Sequence, residues 1–213
     1  LLVLSKFPLT YKFQPNVGSQ VTAPKYQLKQ MSVKDTFKNH HILFIGDSHT
    51  CNEQFGWHKK LCEYSNCTYE VCAKVGATTN WMVNYGFLRI ANQNERYDYC
   101  FIFGGANDAY NGVDPDLTLM NIQGLIKQCN RKGIKCCVIT GFDPFTCVNS
   151  SKVNAYKTRY NNLQNRMISE LKGCKVIDTR SAVKPQDCGD WMCHMKASGH
   201  KKLSLFILKS LEN

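Results

Sequence analysis

The sequence predicts one α/β domain in which a five-stranded, mostly parallel sheet lies between two layers of helices, a three-layer α/β/α sandwich. Three observations predict this class. Five runs rich in apolar, β-branched or aromatic residues recur along the chain, segments long enough for helices separate them, and the apolar residues of the runs are continuous rather than alternating. Continuous apolar strands are typical of a parallel sheet that is covered on both faces. A chain of 213 residues can bury one large core.

The predicted strands follow one another in chain order. They cover residues 41–46, 69–76, 97–105, 134–142 and 174–180. Because ligands of parallel sheets bind beyond the carboxyl ends of the strands, the residues that end these runs are the first candidates for a functional site.

The clearest helix is predicted for residues 115–133. Asp114 is suited to cap it, Pro115 to occupy its first turn and Gly133 to end it. Two more helices are predicted for residues 151–173 and 197–213. In the helix predicted for residues 115–133, the apolar stripe comprises Leu117, Met120, Leu125 and Ile126.

The domain is predicted to span residues 40–213. Residues 1–39 do not share the alternation of strands and helices, and their prolines and scattered aromatics predict an N-terminal arm. This arm is expected to pack on the domain or to extend from it, as extended chain or as an extra strand pair, with disorder as the alternative. The opening LLVLSK is too short for a signal peptide, and the missing initiator Met indicates a processed or excised piece. No apolar run approaches the roughly 18 to 20 residues of a membrane helix, so we expect a soluble chain.

The chain carries 27 Lys and Arg against 16 Asp and Glu, a net charge of +11. This excess favours an anionic partner such as nucleic acid, an acidic glycan or an anionic membrane surface, or else forms only a dispersed basic surface. Twelve cysteines are present, and their pattern does not distinguish an intracellular from a secreted protein. Those expected to act as small apolar side chains in strands are Cys72, Cys100, Cys136 and Cys137.

Two groups of cysteines are close enough in sequence to raise the question of a metal site or a disulfide. Cys188, Cys193 and His194 lack a second matching pair for zinc, and so no metal or cofactor is predicted. The evenly spaced Cys62, Cys67 and Cys72 are expected to pack in the core or to form one disulfide.

Short polar motifs follow the predicted strands. The first strand ends in Gly-Asp-Ser-His, residues 46–49; the second ends at Gly76; the third is followed by Gly-Gly-Ala-Asn-Asp, residues 104–108; and CGDWMCHMKASGH, residues 188–200, precedes the last helix. In this order, from about residue 41 onward, the motifs resemble the SGNH hydrolase superfamily, which includes the GDSL esterases and lipases, in a Gly-Asp-Ser-His variant.

The resemblance implies a flavodoxin-like sheet and ester hydrolysis through an acyl-serine intermediate. It makes Ser48 the nucleophile and His194 the base, because a serine hydroxyl is a weak nucleophile until an imidazole accepts its proton. The backbone N–H groups of Ser48 and Gly76 and the side-chain amide of Asn107 are the implied oxyanion donors. An O-acetyl or other short acyl group, for instance on a carbohydrate, is the favoured substrate.

The last motif departs from the family pattern of Asp-x-x-His, because Trp191 stands three residues before His194. Asp190 is predicted to orient the imidazole, with Asp187, a backbone carbonyl or a simple Ser-His dyad as alternatives. If the last motif is aligned differently with the family pattern, His200 becomes the base. Supporting roles fall to three more residues, with Asp47 holding the turn and His49 and Trp191 lining the pocket.

Asp108 is expected to cap a helix or to support the site from behind. Of the other tryptophans, Trp57 and Trp81 are expected in the core.

Two other interpretations stay open. Ser48 could cap a helix that begins near Thr50, although capping predicts none of the other motifs. The domain could also be a scaffold without catalysis whose basic surface binds nucleic acid or an acidic glycan.

Overall fold

The computed structural model of the protein describes residues 37–52, 54–92, 94–142, 151–189 and 194–212. The predicted arm, apart from its last three residues, lies outside this part of the chain, as do Asp190 and Trp191. Phe37, near the end of the predicted arm, is buried at the base of the sheet, where its ring packs edge-on against Tyr99 and Phe101.

Five strands form one sheet in the order β2-β1-β3-β4-β5, and every neighbouring pair is parallel. The strands are β1 His41–Gly46, β2 Thr68–Ala73, β3 Tyr99–Phe103, β4 Lys135–Ile139 and β5 Lys175–Ile177. β2 pairs with one edge of β1, and β3 pairs with the other, so that β1 and β3 lie side by side. The predicted α/β fold is confirmed, and β1 and β3 end together at the edge where ligands of such sheets bind.

The helices connect successive strands and cover both faces of the sheet. They are α1 Trp57–Ser65, α2 Thr79–Ala91, α3 Ala106–Asn111, α4 Pro115–Arg131, α5 Ser151–Glu170 and α6 Ala197–Leu211, with a short 3₁₀ turn at Pro185–Asp187. Along β1 the side chains alternate between the two faces. Leu43 and Ile45 enter the core shared with α2, α4 and α5, whereas Ile42 and Phe44 enter the core shared with α1 and α6.

The start of α4 confirms the predicted signals. Asp114 accepts the backbone N–H of Asp116 at 2.9 Å, and Pro115 is the first helical residue. The predicted apolar stripe is partly wrong, because Leu117 and Met120 are 42% and 63% exposed. The helix is rotated so that a neighbouring stripe faces the sheet. The buried side chains are those of Thr118, Leu119, Ile122, Leu125, Ile126 and Cys129.

Cys62 and Cys67 form a disulfide across the turn from α1 to β2, which agrees with the expectation of one bridge in this region. The four strand cysteines are buried free thiols, as predicted. Trp57 is fully buried and Trp81 partly so, with its ring stacked on Tyr85. Within the described ranges, no helix has the length and apolarity needed to cross a membrane.

Gly46, the last residue of β1, is required for steric reasons. A Cβ at this position would lie 2.3 Å from Thr50 Oγ1 and 3.0 Å from the carbonyl oxygen of Phe103. We therefore expect Gly46→Ala to lower the free energy of unfolding by about 1–3 kcal/mol, measured by urea denaturation.

Gly124→Ala is the matched control for this substitution. Its Cβ would meet Phe87 at an ordinary 3.5 Å, and alanine favours the helix, so the same measurement should give an increase of up to about 1 kcal/mol. A Gly46→Ala protein as stable as the wild type would contradict the steric argument.

Candidate active site

Ser48 lies in a tight turn directly after β1. The turn is closed by a hydrogen bond from the Thr50 backbone N–H to the carbonyl of Asp47 at 3.0 Å, and the Ser48 side chain is half-exposed at the rim of the sheet. The helix that follows begins only at Trp57, with Gly56 as its N-cap. The alternative that Ser48 caps a helix starting near Thr50 is therefore wrong.

The structure brings Ser48 and His194 together although 146 residues separate them. Ser48 Oγ lies 3.0 Å from His194 Nε2, within hydrogen-bond distance. The His194 segment is held at its base by two backbone hydrogen bonds, from the Gly189 N–H to the His194 carbonyl at 2.9 Å and from the Lys196 N–H to the Asp187 carbonyl at 2.7 Å. The imidazole is exposed, so this pair is open to solvent at the carboxyl edge of the sheet.

Asn107, in the first turn of α3, is linked to the residues around Ser48 and Gly76. Its side-chain Nδ2 donates to the carbonyl oxygen of Ala77 at 3.0 Å and to Asp47 Oδ2 at 3.4 Å. Ala77 follows Gly76, and Asp47 precedes Ser48. The three residues predicted to donate to an oxyanion therefore lie in segments joined by direct contacts.

Gly76 is exposed and has a φ of +74°, a conformation that side-chain-bearing residues rarely adopt. No described atom lies within 4 Å of a Cβ built at this position. The need for glycine thus comes from the backbone conformation, and the space beside it is open to a ligand.

Asp47 is completely buried beneath the turn. Its Oδ1 accepts the backbone N–H of His49 at 3.0 Å, a contact of the kind expected for a residue that holds the turn. Burial raises the pKa of Asp47 to about 7, and the His49 N–H and the nearby His194 only partly oppose this shift. The nearby Asp108 adds to the increase. Near neutral pH, Asp47 therefore exists in both protonation states.

This raised pKa predicts how stability depends on pH. Between about pH 4 and pH 7 the folded protein retains a proton on Asp47 that the unfolded chain has lost, so stability falls as pH rises through this range. Asp47→Asn removes the titration. We expect the difference in unfolding free energy between variant and wild type to grow in favour of the variant by up to about 4 kcal/mol from pH 4 to pH 8. Urea denaturation at four pH values checks this, and a difference that does not vary with pH would contradict it.

His49 packs within the site. Its ring stacks on Phe103 with the centroids 5.3 Å apart, meets Phe142 edge-on at 5.1 Å, and lies 5.3 Å from the ring of His194. The prediction that His49 lines the pocket is compatible with this position. Phe103 and Phe142, which hold the ring, were not predicted as site residues because both read as ordinary strand residues.

Asp190, the acid predicted to orient His194, and Trp191 lie outside the described residues. The alternative acid, Asp187, is buried, and its carboxylate is engaged elsewhere. It accepts from Lys202 Nζ at 2.8 and 2.9 Å, from Ser198 Oγ at 3.2 Å and from the Lys184 backbone N–H at 3.0 Å. These contacts anchor the 3₁₀ turn that precedes the His194 segment.

His200, the alternative base, has a structural position. It is 3% exposed, and its Nδ1 accepts the backbone N–H of Trp57 at 3.1 Å, which joins α6 to the first turn of α1. Burial lowers the pKa of His200 to about 4, so the ring is neutral and able to accept this bond at neutral pH. The imidazole beside Ser48 belongs to His194.

Asp108 caps α2, which is one of the two roles expected of it. Its carboxylate accepts the backbone N–H and the hydroxyl of Thr79, the first residue of that helix. Thr79 was not predicted as a partner, although its place three residues after Gly76 was visible in the sequence.

No group of three His, Cys, Asp or Glu side chains that could hold a metal ion occurs among the described residues.

The fold and this geometry define the class of protein. A parallel α/β/α sandwich that presents a serine and a histidine at hydrogen-bond distance, beside an asparagine amide and a glycine with positive φ, has the arrangement of an SGNH-type hydrolase. The GDSL-like lipase/acylhydrolase family matches residues 44–202. The chain belongs to this family and is a hydrolase that acts on ester bonds.

Solved structures of low sequence identity share the fold. They include a member of the lipolytic protein G-D-S-L family from Veillonella parvula DSM 2008 (16% identity, TM-score 0.63, covering 81% of this chain and 98% of that one). The psychrotrophic esterase EstA from Pseudoalteromonas sp. aligns at 13% identity and a TM-score of 0.61, over 82% and 97% of the two chains. The acetylxylan esterase Axe2 from Geobacillus stearothermophilus aligns at 15% and 0.61, over 82% and 94%. No curated protein sequence matches this chain.

Proposed function

We propose that the protein is a serine esterase that cleaves carboxylic esters through an acyl-serine intermediate. The observation that carries this proposal is the 3.0 Å distance between Ser48 Oγ and His194 Nε2, beside the linked segments of Gly76 and Asn107. Membership of the GDSL-like lipase/acylhydrolase family supports the same reaction.

In the first half-reaction, His194 Nε2 accepts the proton of Ser48 while Oγ forms a bond to the carbonyl carbon of the ester. The negative charge on the carbonyl oxygen is stabilised by the backbone N–H groups of Ser48 and Gly76 and by Asn107 Nδ2. The C–O bond to the alcohol then breaks, and His194 returns the proton to the leaving oxygen.

In the second half-reaction, water replaces the alcohol. His194 accepts a proton from the water as its oxygen bonds to the acyl carbon, and the proton returns to Ser48 Oγ as the carboxylic acid leaves. Asp190 orients the imidazole and stabilises its protonated form. The contacts of Asp187 with Lys202 and Ser198 favour Asp190 over Asp187 for this role.

The favoured substrate is a short acyl group, such as acetyl, on a carbohydrate. The exposed His194 and Gly76 at the rim leave room for a bulky alcohol, and an acetylxylan esterase is among the proteins of similar fold. The net charge of +11 adds the prediction that an acidic glycan is preferred over a neutral one. Acetate release from matched acidic and neutral O-acetylated oligosaccharides, at low and high salt, tests this preference.

A fluorophosphonate probe tests the covalent mechanism. We expect one equivalent of probe on Ser48, located by peptide mass spectrometry, with loss of p-nitrophenyl acetate hydrolysis in proportion to labelling. Heat-unfolded protein is the control, because reactivity requires the folded site. Labelling absent from Ser48, with hydrolysis intact, would contradict the proposal, and absence of both would leave the interpretation as a binding scaffold.

A further inference from the structure

One buried carboxylate joins two of the three segments that carry the proposed oxyanion donors, those of Gly76 and Asn107. Asp108 is 1% exposed. It accepts the Thr79 backbone N–H at 2.9 Å and the Thr79 hydroxyl at 2.6 Å, and it lies 3.4 Å from the hydroxyl of Thr118. Thr79 and Asp108 are 29 residues apart in sequence, so this contact is tertiary rather than local.

The contact between Asp108 and Thr79 lies close in sequence to two of the proposed oxyanion donors. Thr79 begins α2 three residues after Gly76, and Asp108 directly follows Asn107. A second bond, from Asn107 Nδ2 to the carbonyl oxygen of Ala77, runs between the same two segments. Together these contacts fix the separation between the Gly76 backbone and the Asn107 side chain.

Asp108 caps α2, but capping alone does not require a residue from the Asn107 segment. The N-cap residue of α2 is Thr78, a residue type that commonly caps helices with its own side chain. Its side chain makes no capping bond here. The first turn of α2 instead receives a carboxylate from the segment of Asn107, which also places negative charge at the positive end of the helix dipole.

We propose that Asp108 is a positioning residue of the oxyanion hole: through Thr79 it sets the distance between the Gly76 N–H and the Asn107 amide. The inference rests on the proposed function, because it gives these two donors a shared charge to stabilise. Asp108 does not touch the substrate in this scheme. Its effect is on the transition state, where donors that are displaced by a fraction of an ångström lose much of their stabilisation.

Steady-state kinetics of Asp108→Ala and Asp108→Asn test the proposal. We expect Asp108→Ala to lower kcat about 10- to 100-fold while KM changes less than about threefold. Binding of a phenylboronic acid, which forms a tetrahedral adduct with the serine, should weaken by the same factor as kcat/KM. Asp108→Asn keeps an acceptor for the Thr79 N–H and should recover part of the loss.

Asp114→Ala is the matched control. Asp114 also caps a helix, α4, through a backbone N–H at 2.9 Å, but it has no described contact with the Gly76 or Asn107 segments. It should lower stability without changing kcat, provided that both variants are assayed well below their unfolding temperatures. Equal kcat values for Asp108→Ala and Asp114→Ala would overturn the inference.

A second variant keeps the test decisive if Asp108→Ala does not fold. Thr79→Val removes the hydroxyl from the other end of the contact, and we expect it to lower kcat about 3- to 10-fold with the same weakening of boronate binding. Unchanged kcat in both Thr79→Val and Asp108→Asn would overturn the inference. Failure of the proposed function is separate, because the wild type would then show no Ser48-dependent hydrolysis.

Discussion

Ser48→Ala is expected to abolish esterase activity, with kcat reduced by about 10³- to 10⁶-fold. Without Oγ no acyl-enzyme forms, and any remaining hydrolysis must come from direct attack of water on an ester polarised by the oxyanion donors. Ser48 is half-exposed, and among the described residues its hydroxyl pairs with the exposed His194, so the fold should be retained. Hydrolysis of p-nitrophenyl acetate together with a urea denaturation curve measures both effects.

Ser169→Ala is the control for this substitution. Ser169 lies exposed on α5, where its hydroxyl bonds to carbonyls of the same helix, and its loss should leave kcat unchanged. Residual activity above about 10% in Ser48→Ala, in a preparation free of contaminating esterase, would show that Ser48 is not the nucleophile.

Asn107→Ala is expected to produce the second-largest effect, a decrease in kcat of about 10²- to 10³-fold, or roughly 2.7 to 4 kcal/mol of transition-state stabilisation. In the structure, both Nδ2 hydrogens have acceptors, at 3.0 Å on Ala77 and at 3.4 Å on Asp47. The longer of these bonds is the weaker, so its hydrogen is the one available to the oxyanion when a substrate is bound.

The measurement separates this role from a structural one. Loss of the bond to Ala77 should also lower stability, by about 1 kcal/mol, and the kinetics are therefore recorded far below the unfolding transition. KM should change little, since the charge that Asn107 meets exists only in the transition state. An Asn107→Ala enzyme with wild-type kcat would remove Asn107 from the oxyanion hole.

The sheet was predictable because its signals are local. The three central strands, β1, β3 and β4, are short runs of buried, mostly apolar residues, and burial on both faces leaves little choice of structure for such a run. The cap of α4 was equally local, since Asp114 and Pro115 act on the turn that they begin. Ser48, Gly76 and Asn107 were predicted as site residues through the family resemblance, whose motifs each follow a predicted strand.

The wrong predictions concern the orientation of elements. The stripe of α4 was assigned with Leu117 and Met120, which are exposed, because a helix with apolar residues on more than half of its surface has no unique inward face in sequence. A helix beginning near Thr50 was an alternative for the segment after Ser48, yet α1 begins at Trp57, where His200 of a distant helix accepts its first N–H.

By itself, the sequence determined the class of fold, the succession of the strands along the chain and the residue types that follow them. These depend on apolar burial and on turn chemistry, both of which act over a few neighbouring residues. Only the tertiary structure decided that Ser48 meets His194 at 3.0 Å and that Asp108 reaches Thr79 across 29 residues. Such contacts depend on how helices are rotated and seated on the sheet, and that is set by packing among all the elements at once.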